Sequence, residues 1–100
     1  MLGDWNVYIL RCKDQTLYTG IAKNVVARIE AHNAGRGAAY TRGRGPLMLL
    51  REESGLTHSK ALIREAAIKK LSRKEKEELI SEQFRKQRPL KKRLRLGPKE

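Results

Sequence analysis

The chain has 100 residues, enough for one small domain with a modest core, and 23 basic against 11 acidic residues give a formal charge of +12. This charge favours polyanion partners, with nucleic acid before anionic membrane surfaces. The lone Cys12 excludes an internal disulfide, no apolar run is long enough to cross a membrane, and Met1 to Trp5 lack the features of a signal peptide, so we expect a cytosolic location.

The first two elements are predicted to form a β-hairpin. Residues 5–12 and 17–22 are rich in aromatic and β-branched side chains, and the residues between them are polar and turn-like. Gly20 interrupts the second segment, which indicates a bulge or a place where another group approaches the backbone closely.

A helix, a glycine-rich loop and a third strand are predicted next. Asn24 is a suitable N-cap for a helix over 25–34, and Gly35 is a natural C-cap. Residues 35–46 hold four glycines, three arginines and no acid, which is typical of a loop. The apolar run 47–50, continuing into charged residues as far as 53, predicts the third strand.

Two helices and a basic tail complete the chain. Thr57 or Ser59 can cap a helix of about 59–71, and the capping-box pair Ser72 and Glu75 predicts another of about 73–84. From Arg85 to Arg95 there are seven basic residues, no acid and a helix-breaking proline. We therefore predict one domain over 1–84 and a flexible tail over 85–100.

The order of the elements indicates the fold class. A hairpin, a helix, a third strand and two helices are typical of an α+β domain, in which helices pack on a small antiparallel sheet. The predicted order is β-β-α-β-α-α.

Two short tyrosine motifs carry a family resemblance. Val7-Tyr8-Ile9 and the later Leu17-Tyr18-Thr19-Gly20 resemble the paired motif that names the GIY-YIG nuclease superfamily. Residues 40–43 (YTRG) and 69–73 (KKLSR) resemble its small single-domain bacterial branch. The resemblance covers about residues 5–80. It implies a three-stranded antiparallel sheet flanked by helices, hydrolysis of a phosphodiester with one divalent ion, and a place in the bacterial cytosol or nucleoid.

The resemblance also implies which residues form the site. Carried over by position, the catalytic residues are Tyr8, Tyr18, Arg28, His32 and Glu65. Glu65 is the expected metal ligand, and the expected cofactor is one Mg²⁺ (or Mn²⁺). Some members of the family have a lysine just after the second motif, where this chain has Ile21, with Lys23 two residues further on. Some also have an asparagine roughly a dozen residues after the glutamate, where this chain has none.

The chemistry of these side chains supports the same assignment. Arg28 can bind a phosphate through two parallel hydrogen bonds, and a single carboxylate can suffice for Mg²⁺, which keeps several waters. A tyrosine needs help to act as a base, because its ordinary pKa is about 10. A nearby Arg28 or metal would favour the phenolate, and His32 could accept or relay the proton. Either Tyr8 or Tyr18 can be the base, and the other would orient water or phosphate.

Each residue also has a purely structural interpretation. Strand tyrosines usually serve packing, and a lone histidine such as His32 is more often a half-buried structural residue. Glu65 could merely pair with Lys69 one helical turn away, although its helix neighbours are partly apolar. His58 is interpreted as a loop residue without a role.

The basic loop and tail are the candidates for binding nucleic acid. Phosphate contacts are expected from Lys23, Arg36, Arg42 and Arg44, with affinity that falls steeply with salt. Tyr40 could stack on a base or a sugar, or equally pack on the sheet. The chain has no helix-turn-helix, zinc finger or aromatic RNA-binding motif, so base-specific readout is not expected.

The leading hypothesis is a small metal-dependent endonuclease that acts on branched, damaged or single-stranded DNA, with a role in DNA repair or recombination. DNA is expected before RNA, and a partner protein could supply targeting. The alternatives are a nucleic-acid-binding module with little or no catalysis, and an accessory subunit that docks onto a repair or ribosomal assembly.

Overall fold

A computed structural model describes residues 3–37 and 41–87, with side chains through residue 82. Its elements are β1 (Trp5–Arg11), β2 (Leu17–Ala22), α1 (Val25–Asn33), β3 (Met48–Leu56), α2 (His58–Lys69) and α3 (Arg73–Gln87). The chain divides into two compact units, residues 1–70 and 71–100. The predicted α+β class and the predicted order of elements are confirmed.

β1 is the central strand of an antiparallel sheet in the order β2-β1-β3. Its four middle residues, Val7 to Leu10, are buried, since a central strand has neighbours on both edges and helices packed nearby. The register places Tyr8 opposite Gly20 of β2 and opposite Glu52 of β3. The core cluster around β1 contains Tyr8, Leu10, Cys12, Val25 and Leu47.

The turn between β1 and β2 is closed by local hydrogen bonds. The Cys12 amide donates to the Thr16 carbonyl at 2.8 Å. The Asp14 carboxylate accepts from the amide of Thr16 at 3.2 Å and from its hydroxyl at 2.6 Å. Gln15 takes up a φ of 72° between them, a conformation that a tight turn requires. These contacts confirm the predicted hairpin.

Both ends of α1 are capped as the sequence predicts. The Asn24 side chain accepts from the Ala27 amide at 3.0 Å. At the other end, Gly35 has a φ of +80° and its amide donates to the His32 carbonyl, while the Arg36 amide donates to the Ala31 carbonyl. This pair of bonds is the Schellman motif, in which glycine takes the left-handed position. It ends α1 at Asn33, so that His32 lies in the last turn of the helix.

Two predicted boundaries differ from the structure. β3 continues to Leu56 rather than ending near residue 53, because antiparallel pairing with β1 extends as far as Trp5 opposite Leu56. His58 is the first residue of α2 rather than a loop residue, since Thr57 is the N-cap and accepts from the Lys60 amide at 3.2 Å. The His58 ring packs on Trp5, with 4.4 Å between the ring centroids.

The second unit is described through α3. The predicted capping box is confirmed, because the Glu75 amide donates to the Ser72 hydroxyl and the Ser72 amide donates to the Glu75 carboxylate. α3 continues to Gln87, three residues past the predicted domain boundary at 84. Residues 88–100, most of the predicted tail, lie outside the described residues, so the domain and tail assignment stays a prediction.

A half-buried carboxylate ties α2 to β3. Glu53 accepts two hydrogen bonds from Arg64 at 2.7 and 2.9 Å and one from Arg51 at 2.9 Å. Burial acts to raise the pKa of Glu53, but the hydrogen bonds and charges of the two arginines outweigh it and hold the pKa below its ordinary value. Since Arg64 precedes Glu65 in α2, this contact also helps to set the position of the candidate metal ligand.

Replacing Glu53 with glutamine is expected to lower the free energy of unfolding by about 1–3 kcal/mol, because two half-buried guanidinium groups lose their charged partner. Urea denaturation at pH 7 measures this change. The matched control is Asp4→Asn, which removes an exposed ion pair with Lys23 and should change stability by less than about 0.5 kcal/mol. Equal effects of the two substitutions would contradict a structural role for Glu53.

Candidate active site

The centre of the site is a buried contact between β1 and α1. The Tyr8 hydroxyl lies 3.1 Å from Nε2 of His32 and is hydrogen bonded to it. Tyr8 is 1% exposed and His32 is 2% exposed. Tyr8 is held by pairing on both edges of β1, and His32 by the last turn of α1. Two residues 24 positions apart in sequence therefore form one polar pair inside an apolar core.

Gly20 makes room for this pair. It is the cross-strand partner of Tyr8, and a Cβ atom at position 20 would lie 2.6 Å from the Tyr8 hydroxyl oxygen and 2.8 Å from its Cζ. The Tyr8 ring therefore lies against bare backbone. This confirms the predicted close approach at Gly20.

Tyr18 completes an aromatic cluster. Its ring centroid lies 5.2 Å from that of His32 and 6.3 Å from that of Tyr8. Tyr18 is half-buried and Tyr8 is fully buried, so Tyr18 is the more accessible of the two motif tyrosines. The structure thus brings together three of the side chains that the sequence analysis assigned to the site.

Arg28 and Glu65 act electrostatically on Tyr8. Burial and the neighbouring Tyr18 raise the pKa of Tyr8 above its ordinary value. A hydrogen bond and the charge of Arg28 act to lower that pKa, and the Glu65 charge acts to raise it. Because the raising effects win, Tyr8 is a neutral phenol at neutral pH in the free protein. A phenolate here requires additional positive charge or a proton acceptor.

His32 is also neutral at pH 7. Burial lowers its pKa below the ordinary 6.5, and the charge of Arg28 lowers it further. A neutral imidazole has one protonated and one unprotonated nitrogen, so it can donate one hydrogen bond and accept another. It can therefore take a proton from Tyr8.

The depressed pKa of His32 makes stability depend on pH. The unfolded chain binds a proton at His32 more readily than the folded chain. The contribution of neutral His32 to the free energy of unfolding is therefore fully present above about pH 6.5, and it is lost as the pH falls toward the folded pKa. Urea denaturation between pH 7.5 and 5.5 should show this decline, and His32→Gln should reduce it. His58→Gln, which removes the exposed histidine, is the matched control and should retain the wild-type decline.

Thr41 is a buried neighbour of His32 that sequence reasoning did not assign. Its hydroxyl oxygen lies 2.7 Å from Nδ1 of His32, and the residue is 1% exposed. Gly37 packs against the same ring, since a Cβ atom there would lie 2.0 Å from Nδ1. Thr41 belongs to the YTRG motif quoted above, but the spacing of nine residues across a loop gives no sign that it contacts His32.

Glu65 lies on the inward face of α2. It shares that face with the buried Ala61 and Ile68, which precede and follow it by four and three residues. Its side chain is 20% exposed, and a carboxylate oxygen lies 3.2 Å from the ammonium nitrogen of Lys69. The sequence predicted partly apolar surroundings for Glu65 and an ion pair with Lys69, and the structure has both.

The donor chemistry around Glu65 fits a hydrated Mg²⁺. In the described part of the chain, no group of three or more His, Cys, Asp and Glu side chains is arranged to hold a metal ion. Mg²⁺ commonly binds through one or two carboxylates together with waters and substrate phosphate oxygens. A single half-buried carboxylate can meet that requirement when a substrate phosphate supplies the other oxygens, whereas it could not supply a closed cage for a structural metal.

The candidate phosphate-binding residues differ in their surroundings. Arg36 and Arg42 are exposed in the loop after α1. The Arg44 guanidinium is paired with the Asp14 carboxylate, which offsets part of its charge. Lys23 forms an exposed ion pair with Asp4 and lies 5.6 Å from the centroid of the Trp5 ring. Tyr40 lies outside the described residues.

Comparison with known proteins covers the part of the chain that contains these candidate residues. A family model described as the GIY-YIG catalytic domain matches residues 4–78. A UPF0213 protein of Natronomonas pharaonis is 48% identical over 83 residues, which cover 83% of this chain and 98% of that protein. In the parts of the chain that the structure covers, we find no helix with the length and apolar character needed to cross a membrane.

Two solved structures are similar in sequence and in fold. The solution NMR structure of a UPF0213 protein from Bacillus halodurans is 45% identical, with a TM-score of 0.51, and the match covers 77% of this chain and 82% of that one. The solution NMR structure of a protein from E. faecalis is 31% identical, with a TM-score of 0.55, and the match covers 84% and 93% of the two chains.

The family match includes both tyrosine motifs, Arg28, His32 and Glu65. Nucleases with this domain act in general on DNA and generally depend on a divalent metal. The chain therefore belongs to the GIY-YIG catalytic domain family, in the branch of small single-domain proteins that its UPF0213 relatives represent.

Proposed function

We propose that this protein is a metal-dependent endonuclease that hydrolyses DNA phosphodiester bonds, selects its substrate by structure rather than sequence, and serves DNA repair or recombination in the cytosol. The observation that carries the proposal is the buried Tyr8–His32 pair, with Tyr18 packed beside it and with Arg28 and Glu65 close enough to act on Tyr8. Phosphodiester hydrolysis requires a proton acceptor, a cation for the phosphate and a carboxylate for a metal. This cluster offers all three.

Arg28 is proposed to place the scissile phosphate. Its guanidinium can bind two phosphate oxygens at once, and its hydrogen bonding and charge act on the Tyr8 hydroxyl. A phosphate bound by Arg28 would consequently lie beside that hydroxyl. The half-buried Tyr18 would then face the phosphate or the attacking water.

Tyr8 is proposed to be the general base, with His32 as its proton acceptor. As Tyr8 takes a proton from the attacking water, its own proton passes to Nε2 of His32 across their hydrogen bond. The phenol thereby stays neutral, which overcomes the unfavourable pKa that burial imposes. The imidazolium formed in this step carries the proton.

Glu65 is proposed to hold the metal, one Mg²⁺ or Mn²⁺. When bound, such an ion stabilises the charge on the phosphate and on the leaving oxygen. The role of Glu65 itself is to supply a fixed carboxylate, which α2 and the Glu53–Arg64 contact keep in position.

The exposed loop arginines are proposed to hold the nucleic-acid backbone. Arg36 and Arg42 carry positive charge on the segment that also bears Thr41, so backbone phosphates bound there would be guided toward the cluster. Lys23, Arg44 and the basic C-terminal segment are further candidates. Binding through such contacts is independent of base sequence and weakens as salt rises.

A cleavage assay tests the proposal directly. Labelled branched, flapped, single-stranded and duplex DNA would be incubated with the protein in Mg²⁺, in Mn²⁺ and in EDTA. Cutting that depends on metal and favours one DNA structure supports the endonuclease. Salt-sensitive binding without cutting in any metal would overturn it.

The second candidate is a nucleic-acid-binding module with little or no catalysis. The observation that favours it is the Glu65–Lys69 ion pair, because Lys69 occupies the carboxylate that a metal would need. It predicts binding that is unchanged by EDTA and by substitution of Glu65.

A further inference from the structure

The hydroxyl of Thr41 lies on the side of the His32 ring opposite Tyr8. It contacts Nδ1 at 2.7 Å, while Nε2 contacts Tyr8 at 3.1 Å. Thr41, His32 and Tyr8 are all at most 2% exposed. The three side chains therefore form one continuous hydrogen-bonded chain within the core.

The backbone that follows Thr41 is held by hydrogen bonds. The Arg44 amide donates to the Thr41 carbonyl at 3.1 Å, and the Lys13 amide donates to the Arg44 carbonyl at 2.7 Å, which ties the loop to the β1–β2 turn. Asn33, next to His32, accepts from the Leu47 amide at 2.8 Å. These bonds hold the residues after α1 against the end of that helix, where Thr41 contacts His32.

Gly37 closes the same side of the imidazole. A Cβ atom at that position would lie 2.0 Å from Nδ1 and 2.6 Å from Cγ of His32. The ring is therefore packed directly against backbone, and its Nδ1 is directed to the Thr41 hydroxyl.

We propose that Thr41 is a positioning residue that keeps the proton of neutral His32 on Nδ1, so that the lone pair of Nε2 faces Tyr8. In a neutral imidazole, the hydrogen bond made by one nitrogen decides the state of the other. Of the two hydroxyls that contact the ring, the phenol of Tyr8 is far more acidic than the alcohol of Thr41. Tyr8 is therefore the better donor and Thr41 the better acceptor.

The catalytic part of this role rests on the proposed function. One proton moves from water to the Tyr8 oxygen, and the Tyr8 proton moves to Nε2. The water oxygen forms the new bond to phosphorus as the bond from phosphorus to the leaving alcohol oxygen breaks, and that oxygen takes a proton from a second water molecule. The imidazolium then has two N–H groups, and Thr41 continues to accept from Nδ1. If the imidazole proton were on Nε2 instead, Nε2 would have no lone pair to accept the proton of Tyr8.

The tautomer can be measured without any nuclease activity. Long-range ¹H–¹⁵N NMR spectra of the ¹⁵N-labelled full chain at pH 7.5 distinguish a protonated Nδ1 from a protonated Nε2. We expect wild-type His32 and the Thr41→Ser variant to carry the proton on Nδ1. Thr41→Val, which keeps the shape but removes the acceptor, should shift the proton toward Nε2.

The catalytic consequence is measured with the same variants. Thr41→Val should lower the cleavage rate at saturating DNA about 10–100-fold with little change in KM, a loss typical of residues that orient a reacting group. Thr41→Ser should remain within about threefold of wild type, since it keeps the oxygen acceptor. The control is Thr19→Val, which removes another buried threonine that alternates to the face opposite Tyr18 and should retain activity.

The outcomes separate this proposal from the nuclease assignment. A wild-type His32 protonated on Nε2 would overturn the proposal even if no threonine variant folded. An unchanged tautomer in folded Thr41→Val, or full activity despite a changed tautomer, would also overturn it. If wild-type protein cuts no DNA while the tautomer shifts as expected, the structural role of Thr41 stands and the proposed function fails.

Discussion

Glu65→Gln is expected to abolish metal-dependent cleavage, with a loss of at least about 10²–10³-fold at pH 7.5. The amide keeps the size of the side chain but removes the negative charge that would hold a divalent ion. Stabilisation of the phosphate by a metal amounts to several kcal/mol, and each 1.36 kcal/mol corresponds to about a tenfold change in rate. Cleavage rates in Mg²⁺ and Mn²⁺, together with Mn²⁺ binding followed by electron paramagnetic resonance, measure the effect.

Lys69→Met provides the matched control for this variant. It removes the same 3.2 Å ion pair but leaves the carboxylate in place. If Glu65 serves the metal, Lys69→Met should keep cleavage and bind Mn²⁺ at least as tightly as wild type, because the competing ammonium is gone. If Glu65 acts only through its ion pair, the two substitutions should have equal effects, which would contradict the proposed metal site.

Gly20→Ala is expected to lower cleavage by about 10²-fold while the chain still folds, because a displacement of about 1 Å at a reacting group can cost that much. The added methyl group would lie 2.6 Å from the Tyr8 hydroxyl oxygen, so the ring must move away from His32. Crowding of this kind also costs about 1–3 kcal/mol of stability. Cleavage rates and urea denaturation together measure both effects.

Ser54→Ala is the control for an alanine substitution in the same sheet. Ser54 is exposed on β3, so its replacement should leave both stability and cleavage close to wild type. Cleavage by Gly20→Ala within about twofold of wild type would show that the reaction does not need Tyr8 where the structure places it.

These expectations share a structural cause. The side chains of the candidate site come from four segments: β1 has Tyr8, β2 has Tyr18 beside Gly20, α1 has Arg28 and His32, and α2 has Glu65. The central strand is paired on both edges, so Tyr8 is the most firmly held of the set. A substitution that moves Tyr8 therefore affects the site more than one at the exposed loop arginines.

Local structure was predictable because it depends on neighbours in sequence. The hairpin followed from aromatic and β-branched strand residues around a polar turn. Asn24, Gly35 and the Ser72–Glu75 box marked helix ends through hydrogen bonds within a few residues. The family followed in the same way, because the two tyrosine motifs lie on adjacent strands and remain recognisable as short segments.

The extent of β3 was not predictable from its own residues. The residues just past the predicted end at 53, Ser54 and Gly55, are turn-forming types that ordinarily favour a loop. Pairing with β1 supplies the backbone hydrogen bonds, and Arg51 and Arg64 supply the charge that a half-buried Glu53 requires. Both depend on residues from other elements.

The sequence by itself determined the order of the elements, the caps of α1 and α3, the family and the candidate residues, since each is written in segments of a few residues. Only the tertiary structure decided that Tyr8 contacts Nε2 of His32 and that Thr41 contacts Nδ1 of the same ring. It also decided that Gly20 leaves room for the Tyr8–His32 pair. These contacts join residues 9 to 24 positions apart, or adjacent strands in one register. Their distances are set by the packing of helices and loop against the sheet, which no local pattern encodes.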